Sequence, residues 1–120
     1  MKLYDKQIIF TRNVARLIDY IYAQNFFCTF GEVFRTPEQA KINALKGIGV
    51  EDSLHCKRLA IDINLFSSDG TYLTDAKYYR SIGQMWESLH TLNRWGGNFK
   101  RKNGTPFVDA NHFEMQDISV

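Results

Sequence analysis

An α+β fold, in which a small antiparallel sheet packs against helices, is the fold class that this sequence predicts. Apolar residues recur at helical spacing near the amino terminus and again in the second half of the chain. Shorter segments between and after these stretches alternate apolar and polar residues, as half-buried strands do. The 120 residues are an ordinary length for one domain, and a chain of this size buries roughly two-thirds of its unfolded surface. We therefore expect residues 1–120 to form a single domain.

Three helices are predicted from apolar periodicity and capping residues. The first covers residues 6–24, and its apolar stripe lies opposite a polar face. A short second helix begins with Thr36 as its N-cap and runs to about Lys46. The third begins with Thr74 as its cap and, judged by its apolar stripe, ends near Asn93.

Strands are predicted between and after these helices. Residues 26–34 have β character, and an Asp-Gly pair at 69–70 predicts the tip of a loop or a small hairpin. Residues 60–65 alternate so that their aliphatic side is buried and Asp62 lies on the other side. The last strand runs from about residue 107 to 115. The predicted order is therefore helix, strand, helix, strand, helix, strand, strand.

Composition and charge limit the classes of partner. The formal net charge is only +2, and the longest basic run is Lys100-Arg101-Lys102, which falls short of the dense basic face of a nucleic-acid-binding domain. A weakly basic surface would suit an anionic cell-wall polymer equally well. Two cysteines are too few for a disulfide scaffold, and no apolar run reaches the length of a membrane span or signal-peptide core. We expect no nucleic-acid partner, no stable membrane association and synthesis in the cytoplasm.

The stretch Val108–Glu114 is rich in residues typical of metal sites. If residues 112–114 form a strand, His112 and Glu114 lie on one face while the residue between them points to the other. Asp109 lies three positions before His112, where the chain enters the strand. Its carboxylate could therefore reach a water molecule held by the imidazole.

A second stretch, around His55 and Asp62, supplies the ligands that the last strand lacks. The chain has three histidines, and two of them fall in these two stretches beside acidic residues. An offset of seven would place His55 and Asp62 on opposite faces of one straight strand, so His55 must lie in the loop before it and turn back. With His112 they suit zinc, and the fourth position is left for water, as in catalytic rather than structural sites.

Each of these residues also has a plainer interpretation. His112 taken alone would more often be a satisfied core or surface histidine, and Glu114 a solvated acid at a strand end. Cys56 could be a rival zinc ligand, but it would point away from the neighbouring His55, which favours a structural thiol. His90 is predicted to be a surface histidine in the third helix. The combination of residues, rather than any one of them, favours a metal site.

Several motifs occur in one order along the chain. They are Arg35–Gln39, Ser53–His55, Ala60–Asp62, Trp95–Gly97 and Asp109–Glu114. Together they resemble the zinc D-Ala-D-Ala carboxypeptidase and L-alanyl-D-glutamate endopeptidase family, of the VanY-like type, and most closely its small phage endolysins. The resemblance covers residues 35–114, and its motifs are specific in order and spacing.

The resemblance implies a role for each matching residue of the centre. His55, Asp62 and His112 match the zinc ligands. Asp109 matches the acidic residue that serves as general base, and Arg35 matches the arginine that binds the substrate carbonyl or the oxyanion formed from it. The cofactor implied is Zn²⁺.

Three further residues receive supporting roles. By the same resemblance, Ser53 matches a serine that contacts the substrate or supports the first ligand, and Trp95 belongs to a return that shapes the wall of the substrate cleft. Glu114 lies on the face of His112 and is expected to orient a ligand imidazole.

In one position the chain departs from the family pattern, which commonly has glycine where this chain has Arg58. A side chain there is expected to require an ordinary backbone conformation or a changed turn, and it could add a second cation to the groove.

The resemblance implies a zinc peptidase that cuts the stem peptides of peptidoglycan, with the bond between L-alanine and D-glutamate as the first choice. A D-Ala-D-Ala carboxypeptidase or dipeptidase on the same scaffold is the enzymatic alternative. A non-catalytic zinc-binding cell-wall module is the alternative from another class. A phage enzyme of this type would be a monomer made in the host cytoplasm, and it would act in the periplasm or cell wall after release.

Overall fold

The computed structural model describes residues 1–49 and 53–119, which form three helices and an antiparallel sheet. The helices are α1 (Leu3–Ala23), α2 (Pro37–Leu45) and α3 (Ala76–Ser88). The strands are β1 (Phe27–Phe30), β2 (Ala60–Phe66), β3 (Tyr72–Leu73), β4 (Asn93–Trp95) and β5 (His112–Met115). The predicted α+β class, with a small antiparallel sheet packed against helices, is confirmed.

Strand β2 lies at the centre of the sheet. It pairs with β1 on one side and with both β5 and β3 on the other, and β4 pairs with the far side of β5. The register places Asp62 directly opposite His112 and Ala60 opposite Glu114. Because directly opposite residues of an antiparallel pair point to the same face, Asp62, His112 and Glu114 all share one face of the sheet.

The other face of the sheet carries the hydrophobic core. Trp86 of α3 is fully buried, its ring packs edge-on against Phe10 of α1 and Phe113 of β5, and its indole N–H donates to the carbonyl of Glu114 at 2.9 Å. The buried aliphatic residues that pack with these aromatic residues are Leu17, Ile21, Leu59, Ile61, Ile63, Leu65 and Ile82. The alternation of β2 therefore places aliphatic side chains against the helices, as the sequence predicts.

Helix α2 begins and ends as its sequence predicts. The backbone N–H of Gln39 donates to the hydroxyl of Thr36 at 3.1 Å, and Pro37 occupies the first helical position. After the helix, Gly47 adopts a left-handed conformation with φ of 73°. The loop predicted before the strand at residues 60–65 includes residues 50–52, which lie outside the described residues.

The third helix and the last strand are both shorter than predicted. Helix α3 is capped by Asp75 and not, as predicted, by Thr74: the carboxylate of Asp75 accepts from the N–H of Lys77 at 2.9 Å. The helix ends at Ser88 instead of Asn93. Asn93 already belongs to β4, and its side-chain amide donates to the carbonyl of Trp86. Apolar residues after Ser88 continue the helical pattern because they pack into the same core from a turn, so periodicity overestimates the helix.

The turns at the ends of β2 and β4 agree with the sequence. The predicted Asp-Gly turn forms the β2–β3 hairpin, in which Gly70 has φ of 87° and the N–H of Ser67 donates to the carbonyl of Thr71. Trp95 ends β4, and a short 3₁₀ turn over Gly96–Asn98 makes the tight return. The last strand begins only at His112, because residues 107–111 form a loop.

The cysteines and the helices bear on the expected thiols and membrane association. Both cysteines are free thiols. Within the described residues, the helices are either too short or too polar to cross a bilayer.

Gly83→Ala tests how closely α3 packs on the sheet. In an exposed helix this change would stabilise the protein by about 1 kcal/mol. Here the added Cβ would lie 2.1 Å from Cδ2 of Trp95, so we expect a loss of about 1–3 kcal/mol from overpacking, measured as a lower midpoint in urea unfolding. Gln84→Ala, at the next and exposed position, is the control and should leave the midpoint equal or higher. An unchanged midpoint for Gly83→Ala would contradict the packing described.

Candidate metal centre

The structure brings together His55, Asp62 and His112 on the open face of the sheet. One potential ligand atom from each lies within 4.8 Å of the others. Asp62 is in the middle, with its Oδ1 atom 3.5 Å from Nε2 of His55 and 3.1 Å from Nδ1 of His112. Two imidazole nitrogens and one carboxylate are a donor set that suits a tetrahedral metal ion with one position left over.

His55 reaches this centre from a short 3₁₀ turn over Leu54–Lys57, just before β2. The hydroxyl of Ser53 caps the turn by accepting the N–H of His55 at 3.2 Å. The imidazole is buried, and its Nδ1 atom donates to the carbonyl of Val33 at 3.0 Å. That bond leaves Nε2 free to face Asp62, so the side chain turns back over the strand as the sequence predicts.

Arg58 closes the turn in a conformation that was not expected. Arg58 does not have an ordinary backbone conformation but is left-handed, with φ of 56° and ψ of 37°. A non-glycine residue pays about 1–2 kcal/mol for this conformation. Its guanidinium lies 4.0 Å from the ring centre of Phe34, a contact that contributes about 0.5–1 kcal/mol at an exposed site. Arg58 also lines a groove along α1 with Tyr4 and Ile8.

His112 is held by a carboxylate on the side away from Asp62. Its Nε2 atom lies 2.7 Å from Oε1 of Glu114, and Oε2 of Glu114 accepts from Nε of Arg94 at 2.9 Å and also from Nη2. Glu114 is buried, and each of its two oxygen atoms is hydrogen-bonded within the protein. Such a hydrogen bond fixes the orientation of a ligand imidazole and increases its basicity.

Without a metal ion, the centre is a set of ion pairs. Burial acts to raise the pKa of Asp62, but hydrogen bonds from His112 and His55 outweigh it and lower the pKa to about 2. Burial acts to lower the pKa of His112, but hydrogen bonds to Asp62 and Glu114 raise it to about 9. His112 is therefore an imidazolium between two carboxylates, and a metal ion at Nδ1 would take the place of a proton.

Asp109 lies at the open edge of the centre. Its side chain is about half exposed, and Oδ2 is 4.0 Å from Nδ1 of His112. Its backbone is fixed at both ends, because its N–H donates to the carbonyl of Gly96 and its carbonyl accepts the N–H of His112. A Cβ at Gly96 would lie 2.1 Å from that carbonyl oxygen. Burial raises the pKa of Asp109, which suits a group that accepts and returns a proton.

Arg35 lies on the opposite side of the centre, at the junction before α2. Its backbone N–H donates to the carbonyl of His55 at 3.2 Å, and its Nη2 atom forms an ion pair with Glu32. This hydrogen bond to Glu32 raises the pKa of the guanidinium. Oε1 of Glu32 also lies 3.9 Å from Nε2 of His55. Glu32 was missed in the sequence because nothing in its spacing marks it as part of the site.

The side chains of Trp95 and Ser53 are buried, and both are hydrogen-bonded within the protein. Trp95 is only 2% exposed, and its indole N–H donates to the carbonyl of Ala110 at 2.7 Å. It thereby holds the loop that carries Asp109, while the hydroxyl of Ser53 is engaged by the turn of His55. Contact of either residue with substrate stays a prediction.

The remaining candidates lie outside the group of ligand atoms. The thiol of Cys56 is 3.9 Å from the carbonyl of Thr36 and takes no part in the metal-ligand group. His90 lies in the turn after α3, not within the helix, and its Nδ1 atom accepts from the N–H of Leu92. Neither residue offers an alternative to the three ligands.

A cavity of about 360 Å³ lies beside the centre. Phe99 connects the two, because its ring lines the cavity and lies 5.6 Å from the imidazole of His112. Arg94, Lys100 and Phe107 also line it. The cavity is therefore partly aromatic and carries charges of both signs, since Glu87 lines it as well.

Comparisons with known proteins found one matching family model and solved structures of similar fold. A family model described as D-alanyl-D-alanine carboxypeptidase matches residues 47–115. The fold is similar to that of the Serratia marcescens L-Ala D-Glu endopeptidase ChiX, with a TM-score of 0.65 and 17% identity over 94% of this chain and 85% of that one. It is also similar to a variant of the vancomycin-resistance D,D-pentapeptidase VanY in complex with Zn(II), with a TM-score of 0.58 and 18% identity over 88% and 70%. The curated proteins gave no match.

Substitutions at Glu114 test its support of His112. Loss of such a hydrogen-bond partner weakens metal affinity by about 10- to 100-fold. We expect Glu114→Gln to lose about 10-fold in affinity, because the amide oxygen can still accept from Nε2. Glu114→Ala removes the acceptor and should lose about 100-fold. Zinc affinity is measured by competition with a coloured chelator, with the exposed Asp19→Asn as control. Unchanged affinity in Glu114→Ala would contradict the assigned support.

Metal binding should release a proton from His112. The pKa of His112 is raised to about 9, so below that pH the metal-free imidazole holds a proton that Nδ1 must lose to bind a metal. We expect release of about one proton at pH 7 and an affinity that rises about tenfold per pH unit, levelling off above pH 9. Calorimetry of zinc binding in buffers of different ionisation enthalpy measures the proton count. Zinc binding at pH 7 without proton release would contradict this account.

Proposed function

Because the chain belongs to the D-alanyl-D-alanine carboxypeptidase family, whose model matches more than half of it, we propose that it is a zinc metallopeptidase that hydrolyses the stem peptides of peptidoglycan. The observation that carries the proposal is the convergence of three ligand side chains beside a half-exposed carboxylate and a guanidinium. A purely structural metal site would require neither of the last two groups.

Zinc is the metal that this donor set suits best. His55 would bind it through Nε2, Asp62 through a carboxylate oxygen and His112 through Nδ1, and the similar structure of VanY holds Zn(II). When bound, zinc polarises a peptide carbonyl and lowers the pKa of water from about 15.7 towards 7. The imidazole nitrogens that do not face the centre are already held by Val33 and Glu114, so the ligands are positioned in advance.

Asp109 is the general base in this proposal. Its carboxylate lies at the edge of the ligand group, where it can take a proton from the attacking water and return it to the leaving amine. Its raised pKa makes the carboxylate a stronger base, which favours taking the proton from the water. The backbone bonds to Gly96 and His112 keep the carboxylate at this edge.

Arg35 supplies positive charge for the oxyanion. Its guanidinium is mostly buried next to His55, where a charge interacts more strongly than in water. Loss of one such donor typically costs about 3–4 kcal/mol in the transition state. Arg35 and Asp109 therefore have separate tasks on opposite sides of the ligands.

The bond between L-alanine and D-glutamate is the proposed point of cleavage. The similarity to ChiX, an L-Ala D-Glu endopeptidase, covers more of both chains than the similarity to VanY. The half-exposed Asp109 and the adjoining cavity at Phe99 suit a peptide that extends past the centre. The name of the matching family favours the D-Ala-D-Ala carboxypeptidase alternative.

The biological setting follows from the resemblance to small phage endolysins. We propose that the protein acts as a monomeric lysis enzyme, reaching the periplasm or cell wall after release from the host cytoplasm. Its partner would then be the stem peptide of the wall.

Mass spectrometry of purified peptidoglycan tests the function. After incubation with zinc-loaded protein we expect stem peptides that begin with D-glutamate. A chelator should abolish their release, and Asp109→Asn should slow it by about 10²- to 10⁴-fold because the general base is lost. Asp19→Asn, an exposed aspartate on α1, is the matched control and should release them at the normal rate.

The products distinguish the alternatives. Release of D-alanine alone would move the assignment to a carboxypeptidase. Intact peptidoglycan beside zinc-loaded protein would reject the peptidase and leave the wall-binding module.

A further inference from the structure

Glu32 is a carboxylate at the metal centre that has no task in the catalytic proposal. It forms an ion pair with Arg35, and its Oε1 atom lies 3.9 Å from the nitrogen of His55 that faces the metal ligands. We propose that Glu32 is a positioning residue, which holds the guanidinium of Arg35 beside His55 and does not bind the metal. The inference rests on the proposed function only for the catalytic task of Arg35.

The backbone around Glu32 is fixed by the metal ligands themselves. The N–H of Asp62 donates to the carbonyl of Glu32 at 2.8 Å, and the N–H of Gly31 donates to the carbonyl of Asp62 at 2.7 Å. These bonds continue the pairing of β1 with β2 beyond Phe30. The approach is close, since a Cβ at Gly31 would lie 3.0 Å from Cβ of Asp62. The side chain of Glu32 therefore starts from a defined point beside Asp62.

Arg35 requires a carboxylate at this position. Its side chain is only 15% exposed, and among the residues that the structure describes its buried Nε atom has no hydrogen-bond partner. A buried guanidinium without a counter-charge is strongly unfavourable, so Glu32 compensates a charge that water cannot reach fully. The backbone bond from Arg35 to the carbonyl of His55 fixes the other end of the residue. Glu32 and this bond together define where the guanidinium lies.

The same contacts argue against Glu32 as a ligand. The oxygen atom nearest His55 is the one bound to Arg35, and Glu32 is not part of the group whose ligand atoms converge within 4.8 Å. A fourth protein ligand would also close the position that a catalytic zinc site keeps for water.

Zinc affinity of Glu32→Gln separates the two roles. If Glu32 is a positioning residue, the zinc affinity of Glu32→Gln should be close to that of the unmodified protein. Competition with a coloured chelator measures it. A loss of about tenfold or more, the size seen when even a hydrogen-bond partner of a ligand is removed, would overturn the proposal. The matched control is Glu38→Gln, an exposed glutamate in the first turn of α2.

A double-mutant cycle tests whether Glu32 acts through Arg35. Urea unfolding midpoints are measured for Glu32→Gln, Arg35→Gln, the double variant and the unmodified protein. We expect Glu32→Gln to lower the midpoint only while Arg35 is present. An equal shift in both backgrounds would overturn the proposal. Glu32→Asp, which keeps the charge with a shorter reach, should lie between Glu32→Gln and the unmodified protein.

Kinetics then connect the position of Arg35 to the reaction. A displacement of about 1 Å can cost about 10²-fold in rate, so Glu32→Gln should lower kcat by up to that factor with little change in KM. The zinc and unfolding measurements require no substrate. If the unmodified protein cuts no peptidoglycan, the proposed function fails while the role of Glu32 can still be decided.

Discussion

The pairing of β2 with β5 is the constraint on which the metal centre depends. It places Asp62 opposite His112, and a slip of one residue would turn one of them into the core. The register is fixed from the other face of the sheet, where Ile61, Phe113 and Trp95 are buried against the helices. The hydrophobic core therefore specifies which polar residues meet on the open face. Stability and site geometry have the same origin in this fold.

Each ligand histidine is also fixed by a hydrogen bond from the ring nitrogen that does not face Asp62. Val33 accepts from Nδ1 of His55, and Glu114 holds Nε2 of His112, so one nitrogen of each ring is left for the side of Asp62. The buried charges are paired in series: His112 contacts Glu114, and Glu114 is itself paired with Arg94. In the metal-free protein the proton on His112 occupies the place of the cation. The centre can therefore be preformed without a large net charge in a buried site.

Several features that depend on neighbouring residues were predictable from the sequence, whereas many contacts between distant segments were not. The cap at Thr36 and the shared face of His112 and Glu114 follow from local spacing, and the structure contains both. The end of α3 was misjudged because residues packed from a turn can continue a helical pattern. The carbonyl of Val33 has no sequence signature at all, and the pairing of Arg94 with Glu114 follows only from the register of β4 with β5.

The position of Asp109 shows how far the core controls the open face. Trp95 is buried between Gly83 of α3 and Gly97, and its indole N–H holds the carbonyl of Ala110, next to Asp109. Gly96 leaves no room for a side chain beneath the carbonyl of Asp109. The proposed general base thus lies on a loop, but the loop is fastened to the helix layer through one tryptophan. The Asp109 carboxylate therefore extends from a backbone that is held by hydrogen bonds at both ends and by close packing against Gly96, although it belongs to no strand.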